Sequence, residues 1–216
     1  MSDQLEFFGG ESFEPRKPCQ PPKRPQPRKA SRQKSLPFNL FLAIQPDDPA
    51  AMQGRGIGST FLKEHLVSGT MQPFSKLHVS LLGFESETLP GENVISAIKQ
   101  VAQAIVPHKS RFEITFDRLS SFGHGEGDRP LVLTNDKVAN ADLRCLYDAT
   151  FEEVCVIFGP LQKQGFTPHM TLLYMKHQVG HEPAGPVSWM AREVVLILSE
   201  RGTGEYQVLG RWSLGA

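Results

Sequence analysis

The chain reads as an α+β protein built from two related halves, and three observations carry that reading. Strand-like and helix-like segments follow one another as strand, helix, strand, helix, strands, then helix and strands again, an order that does not fit a doubly wound parallel sheet. A short phrase recurs: Lys76-Leu77-His78-Val79-Ser80-Leu81-Leu82 matches Thr167-Pro168-His169-Met170-Thr171-Leu172-Leu173, 91 residues later, and both read His, apolar, hydroxyl, Leu, Leu. The length of 216 residues, with 39% hydrophobic and 21% charged side chains, is enough to bury a core as one domain or two fused lobes.

The folded part is expected to begin at Pro37. Pro37 to Ile44 is strand-like, and Pro46-Asp47-Asp48-Pro49 ends it. A helical stretch with a glycine-rich centre follows over roughly 49–67, then a second strand from Leu77 to Phe84. Across 91–106, Val94, Ile95, Ile98, Val101, Ala102 and Ile105 fall on one helical stripe. Phe112 to Phe116 alternates like a strand, 121–130 reads as a loop, and Leu131 to Leu133 as a short strand. Leu143, Leu146, Phe151, Val154 and Ile157 place a helix over 139–158. Strands are expected at Thr167 to Met175 and Val194 to Leu198. Gly202-Thr203-Gly204 turns into a last one, Tyr206 to Leu214. His177 and His181, followed by Pro183 and Gly185, read as a solvated loop.

Residues 1–36 stand apart as a disordered, Pro-rich leader, with 37–216 as the domain. Net charge is zero, but 1–15 hold four acids and no base, 16–36 hold eight Lys or Arg and no acid, and the remaining 180 residues carry 15 bases against 19 acids. The leader is therefore either a basic arm that contacts RNA phosphates without sequence preference or a solubilising tail. Gln4-Leu5-Glu6-Phe7-Phe8 is similar to the short peptides that dock on bacterial sliding clamps, a five-residue match that chance supplies cheaply. No apolar run approaches the roughly 20 residues of a membrane span, and the acidic start does not resemble a secretory signal. Three cysteines, Cys19, Cys145 and Cys155, with no CxxC pair, fit a reducing cytoplasm, with Cys145 and Cys155 as small core residues of a helix.

A His-x-hydroxyl triplet alone is weak: seven histidines and 25 Ser or Thr give about one match by chance, and His108-Lys109-Ser110 is a third copy, in a polar connection. His78 and His169 differ in lying within apolar strands. Residues i and i+2 of a strand share a face, so each motif aims one imidazole and one hydroxyl the same way, with Val79 and Leu81, or Met170 and Leu172, facing oppositely. Opening a 2′,3′-cyclic phosphate needs a base for water and an acid for the departing oxygen, on opposite sides of phosphorus. Imidazole, with a pKa of ~6.5, serves either role near neutral pH. The hydroxyls of Ser80 and Thr171 suit the non-bridging oxygens as charge grows there.

The paired motifs, the opening strand Phe38 to Ile44, the phrase Phe166 to Leu172 and the ending Tyr206 to Leu214 resemble the 2H phosphoesterases. The nearest branch is similar to the bacterial 2′-5′ RNA ligases, which are also RNA 2′,3′-cyclic phosphodiesterases, and the resemblance covers about 38–214. It implies a bilobal, pseudo-twofold fold with two antiparallel sheets lining a central cleft, helices outside, and neither metal nor cofactor. It also implies a monomer acting on an RNA or oligonucleotide end that carries a 2′,3′-cyclic phosphate. His78 then protonates the leaving 3′ oxygen, His169 activates water, Ser80 and Thr171 hold the phosphate, and a 2′-phosphate results. The same residues could run 2′-5′ ligation. Two positions depart from the family: Ser80 stands where threonine is more usual, and where relatives often carry an arginine this chain has Tyr174, with Lys176 the nearest base in sequence. Phe41, Phe84, Phe122 and Tyr174 are candidates for base stacking.

The rival readings are a catalytically silent RNA-binding module, which the basic leader suits, and an enzyme of the same class acting on a small cyclic nucleotide. A zinc site at His124, Glu126 and Asp128 lacks the three or four ligands at metal spacing that zinc requires, and cysteine catalysis has no supporting signature.

Overall fold

The computed structural model describes residues 36–123, 127–136, 139–163 and 165–216. The leader, the clamp-like pentapeptide, Cys19, His124 and Glu126 lie outside the described residues.

Strand β1 (Phe38–Ile44) leads into α1 (Asp48–Glu64), whose first turn is capped by Asp47 accepting from the Ala50 amide at 3.0 Å. A three-residue strand, β2 (Gly69–Met71), and a one-turn 3₁₀ helix, Phe74–Lys76, precede β3 (Val79–Ser86). Next come α2 (Glu92–Ile105), β4 (Phe112–Ser121), β5 (Arg129–Thr134), α3 (Ala141–Phe158) and β6 (Met170–Met175). Three strands close the chain: β7 (Glu182–Ala191), β8 (Glu193–Glu200) and β9 (Tyr206–Ser213). The turn between β8 and β9 uses the positive φ of Gly202 and Gly204, a backbone that glycine adopts without steric cost.

The strands hydrogen-bond in the order β7-β4-β5-β6-β3-β1-β8-β9, with β2 on β6, and every ladder is antiparallel. They form one continuous nine-stranded sheet, and the two expected sheets correspond to its two halves, β7-β4-β5-β6 and β3-β1-β8-β9. Among the described residues, the strand pairing that joins them is the single pair Val79 and Met170. Each half is built around one strand-helix-strand unit, β1-α1-β3 or β5-α3-β6, and each unit's closing strand follows one H-x-hydroxyl histidine.

Alternation sorts the side chains into two sets. Leu40, Leu42 and Ile44 of β1 and Val194, Leu196 and Leu198 of β8 face the helices in the main core, while Phe41, Ala43, Val195 and Ile197 form a second cluster on the opposite face with Tyr206. The helices are exchanged between halves. Gly54 and Gly58 of α1 lie against Met170, Leu172 and Leu173 of β6, and α3 packs on β3, where Phe158 meets Phe84 with ring centroids 6.3 Å apart.

His177 and His181 lie in the expected loop between β6 and β7. Residues 182–191, for which the sequence suggests no element, form a strand: β7 lies at the sheet edge, where Pro183 and Pro186 need no partner for a missing amide hydrogen. Two expectations are corrected. Strand β4 runs five residues further than its alternation suggested, to Ser121. Cys145 is exposed and Cys155 half-buried, both on α3, so neither belongs to the core.

Candidate active site

The repeated phrase folds the same way twice. Each histidine stands one residue before its strand, and the junction pair Val79 and Met170 comes next in the chain. An antiparallel pair there sets His78 opposite Thr171 and Ser80 opposite His169. The two imidazoles stand diagonally across that pair, on residues roughly 7–8 Å apart. All four side chains are half-buried, whereas Val79 and Met170 between them are fully buried on the other face.

The leucine pairs encode a feature that strict alternation misses. Ser80 pairs with Ala43 and Leu82 with Leu42, so Leu81 is an extra residue; Thr171 pairs with Val132 and Leu173 with Leu131, so Leu172 is its counterpart. These are matching β-bulges. Each turns both leucines of its Leu-Leu toward the helices and confines the exposed face to the imidazole and hydroxyl. Beyond the bulge, Gly83 and Tyr174 return to the histidine face, while Phe84 is carried to the helix side. Phe84 therefore does not share a surface with the histidines.

Each imidazole is oriented by the backbone two residues before it. Nδ1 of His78 donates to the Lys76 carbonyl at 2.7 Å, and Nδ1 of His169 to the Thr167 carbonyl at 2.8 Å, since a carbonyl only accepts. This leaves both Nε2 atoms for a ligand. Burial lowers the pKa of His78, the Lys76 carbonyl opposes it, and the charge of His169 lowers it further. Burial also lowers His169, against the hydrogen bond to Thr167.

Aromatic rings flank both. Phe41 lies 5.0 Å from the His78 ring and Tyr206 5.8 Å, edge-on, while Phe122 meets His169 edge-on at 4.9 Å. Phe41 is buried beneath His78 and supports that ring rather than offering a stacking surface, whereas Phe122, Tyr174 and Tyr206 keep part of their rings exposed. Sequence reasoning missed Tyr206 because nothing local ties the start of the last strand to a motif 128 residues earlier.

A family model described as the 2′-5′ RNA ligase superfamily matches residues 65–202, which includes both histidine motifs. The chain belongs to the 2′-5′ RNA ligase superfamily. Its members are 2H phosphoesterases, and the fold agrees with solved relatives of this superfamily. Escherichia coli LigT in apo form aligns with a TM-score of 0.68 at 22% identity, over 84% of this chain and 100% of that one. The same protein complexed with 3′-AMP aligns at 0.66 and 22%, over 83% and 99%. TT0787 of Thermus thermophilus aligns at 0.62 and 21%, over 82% and 97%. No curated protein matches the sequence.

Within this superfamily member the charged groups around Tyr206, the ring beside His78, come from positions far apart in sequence. Lys76 places its ammonium 5.1 Å from the centre of the Tyr206 ring. Burial raises the pKa of Tyr174 and Tyr206, and the positive charge of Arg201, from the β8–β9 turn, opposes this in both. Arg201 itself pairs with Glu85. Lys176, the nearest base to Tyr174 in sequence, instead lines a separate cavity of about 640 Å³ with Tyr174, His177 and Asp128. His181 is drawn to Asp136, 3.2 Å away, at the start of β7. The third triplet, at His108, lies exposed in the 3₁₀ turn Val106–His108. Among the described residues, no group of three or more His, Cys, Asp or Glu is gathered for a metal ion.

Proposed function

We propose that the protein is an RNA 2′,3′-cyclic phosphodiesterase in which His78 is the proton donor and His169 the acceptor. One observation carries this reading: two imidazoles, each tethered through Nδ1 to the carbonyl two residues before it, face one open surface across the single pair that joins the halves. A phosphate seated between them has an Nε2 on either side, as in-line displacement requires.

Water attacks phosphorus as Nε2 of His169 takes its proton. The P–O3′ bond breaks, and Nε2–H of His78 protonates O3′, leaving a 2′-phosphate. The hydroxyls of Ser80 and Thr171 donate to the non-bridging oxygens as their charge grows. Serine at 80 supplies the same donor as threonine with a freer rotamer. With a 5′-hydroxyl in place of water, the same proton transfers leave a 2′-5′ linkage. The substrate is an RNA end bound by a monomer in the cytoplasm, and the leader of residues 1–36 adds non-specific contacts to phosphates through its eight bases.

Incubation of purified protein with RNA ending in a 2′,3′-cyclic phosphate should give the 2′-phosphate isomer, in the presence of a chelator. His78→Ala and His169→Ala should each lower kcat at least ~100-fold, the lower bound of what a positioned acid or base contributes, with an unchanged circular dichroism spectrum. Full turnover in either variant sinks the mechanism. RNA affinity without turnover in the wild type points instead to a binding module.

A further inference from the structure

Lys76 stands two residues before His78, a distance that extended chain spans in at most about 7 Å. Its ammonium rests on the ring of Tyr206, 5.1 Å from the centroid, and the same ring meets the His78 imidazole edge-on at 5.8 Å. One tyrosine therefore links this cation to the proposed proton donor. Arg201 and Arg211 are paired with Glu85 and Glu193, whereas no carboxylate pairs with Lys76 among the described residues. The ammonium borders a cavity of about 440 Å³ walled by Gln45, Ser75, Tyr206 and the Gly204-Glu205 turn. Glu205 offsets part of the positive field there, and Arg211 on the same wall is already held, which leaves Lys76 as the cation free to take an anion.

The chemistry says which anion lies on this side. If His78 protonates O3′, as proposed above, the ribose that carries O3′ is on the His78 side of phosphorus. Whatever is bonded to its 5′ carbon extends into the neighbouring space. In a free cyclic mononucleotide that group is a hydroxyl, and at the end of an RNA chain it is a phosphodiester.

We propose that Lys76 and its cavity bind the phosphate on the 5′ side of the nucleotide that carries the cyclic phosphate, so that the enzyme selects RNA chain ends over free 2′,3′-cyclic mononucleotides. The inference rests on the assignment of His78 as donor. A charged ammonium–phosphate hydrogen bond contributes about 1.5–3 kcal/mol, which corresponds to a preference of roughly 10- to 100-fold.

The test compares kcat/KM for adenosine 2′,3′-cyclic phosphate with and without a 5′-phosphate. The wild type should favour the 5′-phosphorylated compound at least ~10-fold, mainly through KM. Lys76→Gln should reduce that ratio to about twofold or less, and Lys76→Arg should keep it. A ratio near one in the wild type, or an unchanged ratio in Lys76→Gln, overturns the proposal. Because the readout is a ratio between two substrates of one enzyme, a general effect on His78 cancels. If the wild type turns over neither compound nor RNA ending in a 2′,3′-cyclic phosphate, the phosphodiesterase reading fails. Where neither compound is turned over, calorimetric titration of adenosine 2′-phosphate with and without a 5′-phosphate decides the subsite by the same ratio and the same variants.

Discussion

At the residue scale, His78 has two demands on it that pull in opposite directions. A proton donor whose Nδ1–H is spent on the Lys76 carbonyl must be an imidazolium to offer a second proton from Nε2, yet burial and the charge of His169 both favour the neutral ring. The profile of kcat/KM against pH reports the free enzyme, where both histidine pKa values are lowered. Its optimum should therefore lie on the acid side of 6.5, with activity falling as pH rises because His78 loses its proton. In the complex, a bound phosphate anion stabilises the imidazolium, so the kcat optimum should move to higher pH. Stopped-assay profiles of both parameters check this, and coincident optima contradict it. The linkage to folding has the opposite sense. Below 6.5 the unfolded chain binds more protons than the folded one, so these two histidines lower stability as pH falls through the unfolded value.

At the scale of single elements, the helix–strand contact behind His169 depends on glycine. Gly54 and Gly58, both buried, fall one turn apart on α1. A Cβ at Gly58 would lie 3.2 Å from Met71 Cε and 3.3 Å from Leu173 Cδ2. Gly56 between them is exposed with open space around it. Gly58→Leu should cost about 1–3 kcal/mol by overpacking and lower kcat by displacing β6, whereas Gly56→Ala should stabilise by about 0.5–1 kcal/mol. Urea midpoints of the two variants would measure this, and equal midpoints would show that α1 does not depend on close approach. The glycine-rich centre was legible in the sequence as part of a helix, but its purpose was not, because the strand it meets lies more than 100 residues away. The edge strand β7 was illegible for another reason. Pro183, Gly185 and Pro186 carry a loop's composition, and only the position of the strand at the end of the sheet makes that composition compatible with pairing.

Across the whole molecule, the exchange of helices ties the halves together more firmly than their single backbone pair does. Helix α1 leaves β1 in one half to pack on β6 in the other, α3 packs on β3, and one core cluster runs through both. Neither half can bury its strands alone. Nature supplies a probe in each: Trp189 on β7 and Trp212 on β9. In single-tryptophan variants, Trp189→Phe and Trp212→Phe, fluorescence should report the same urea midpoint, since the domain unfolds as one unit. Midpoints that differ by more than the effect of the substitutions would mean that the lobes unfold independently.

The sequence by itself determined the α+β class, the principal helices and the two histidines with their hydroxyls, because each rests on a local period of 2 or 3.6 or on a repeat visible in one dimension. Matching bulges were written there too, as Leu-Leu after each hydroxyl, although a period of two read forward would turn Leu82 and Leu173 the wrong way. Only the tertiary structure decided which charges gather at Tyr206, the ring beside His78. Lys176 is near Tyr174 in the chain but lines another cavity, while Lys76, two residues before His78 in the chain, and Arg201, from the β8–β9 turn, both act on Tyr206. The reason is physical: backbone hydrogen bonding and side-chain alternation act over a few residues, whereas an electrostatic neighbourhood is assembled by strands that meet from distant parts of the chain.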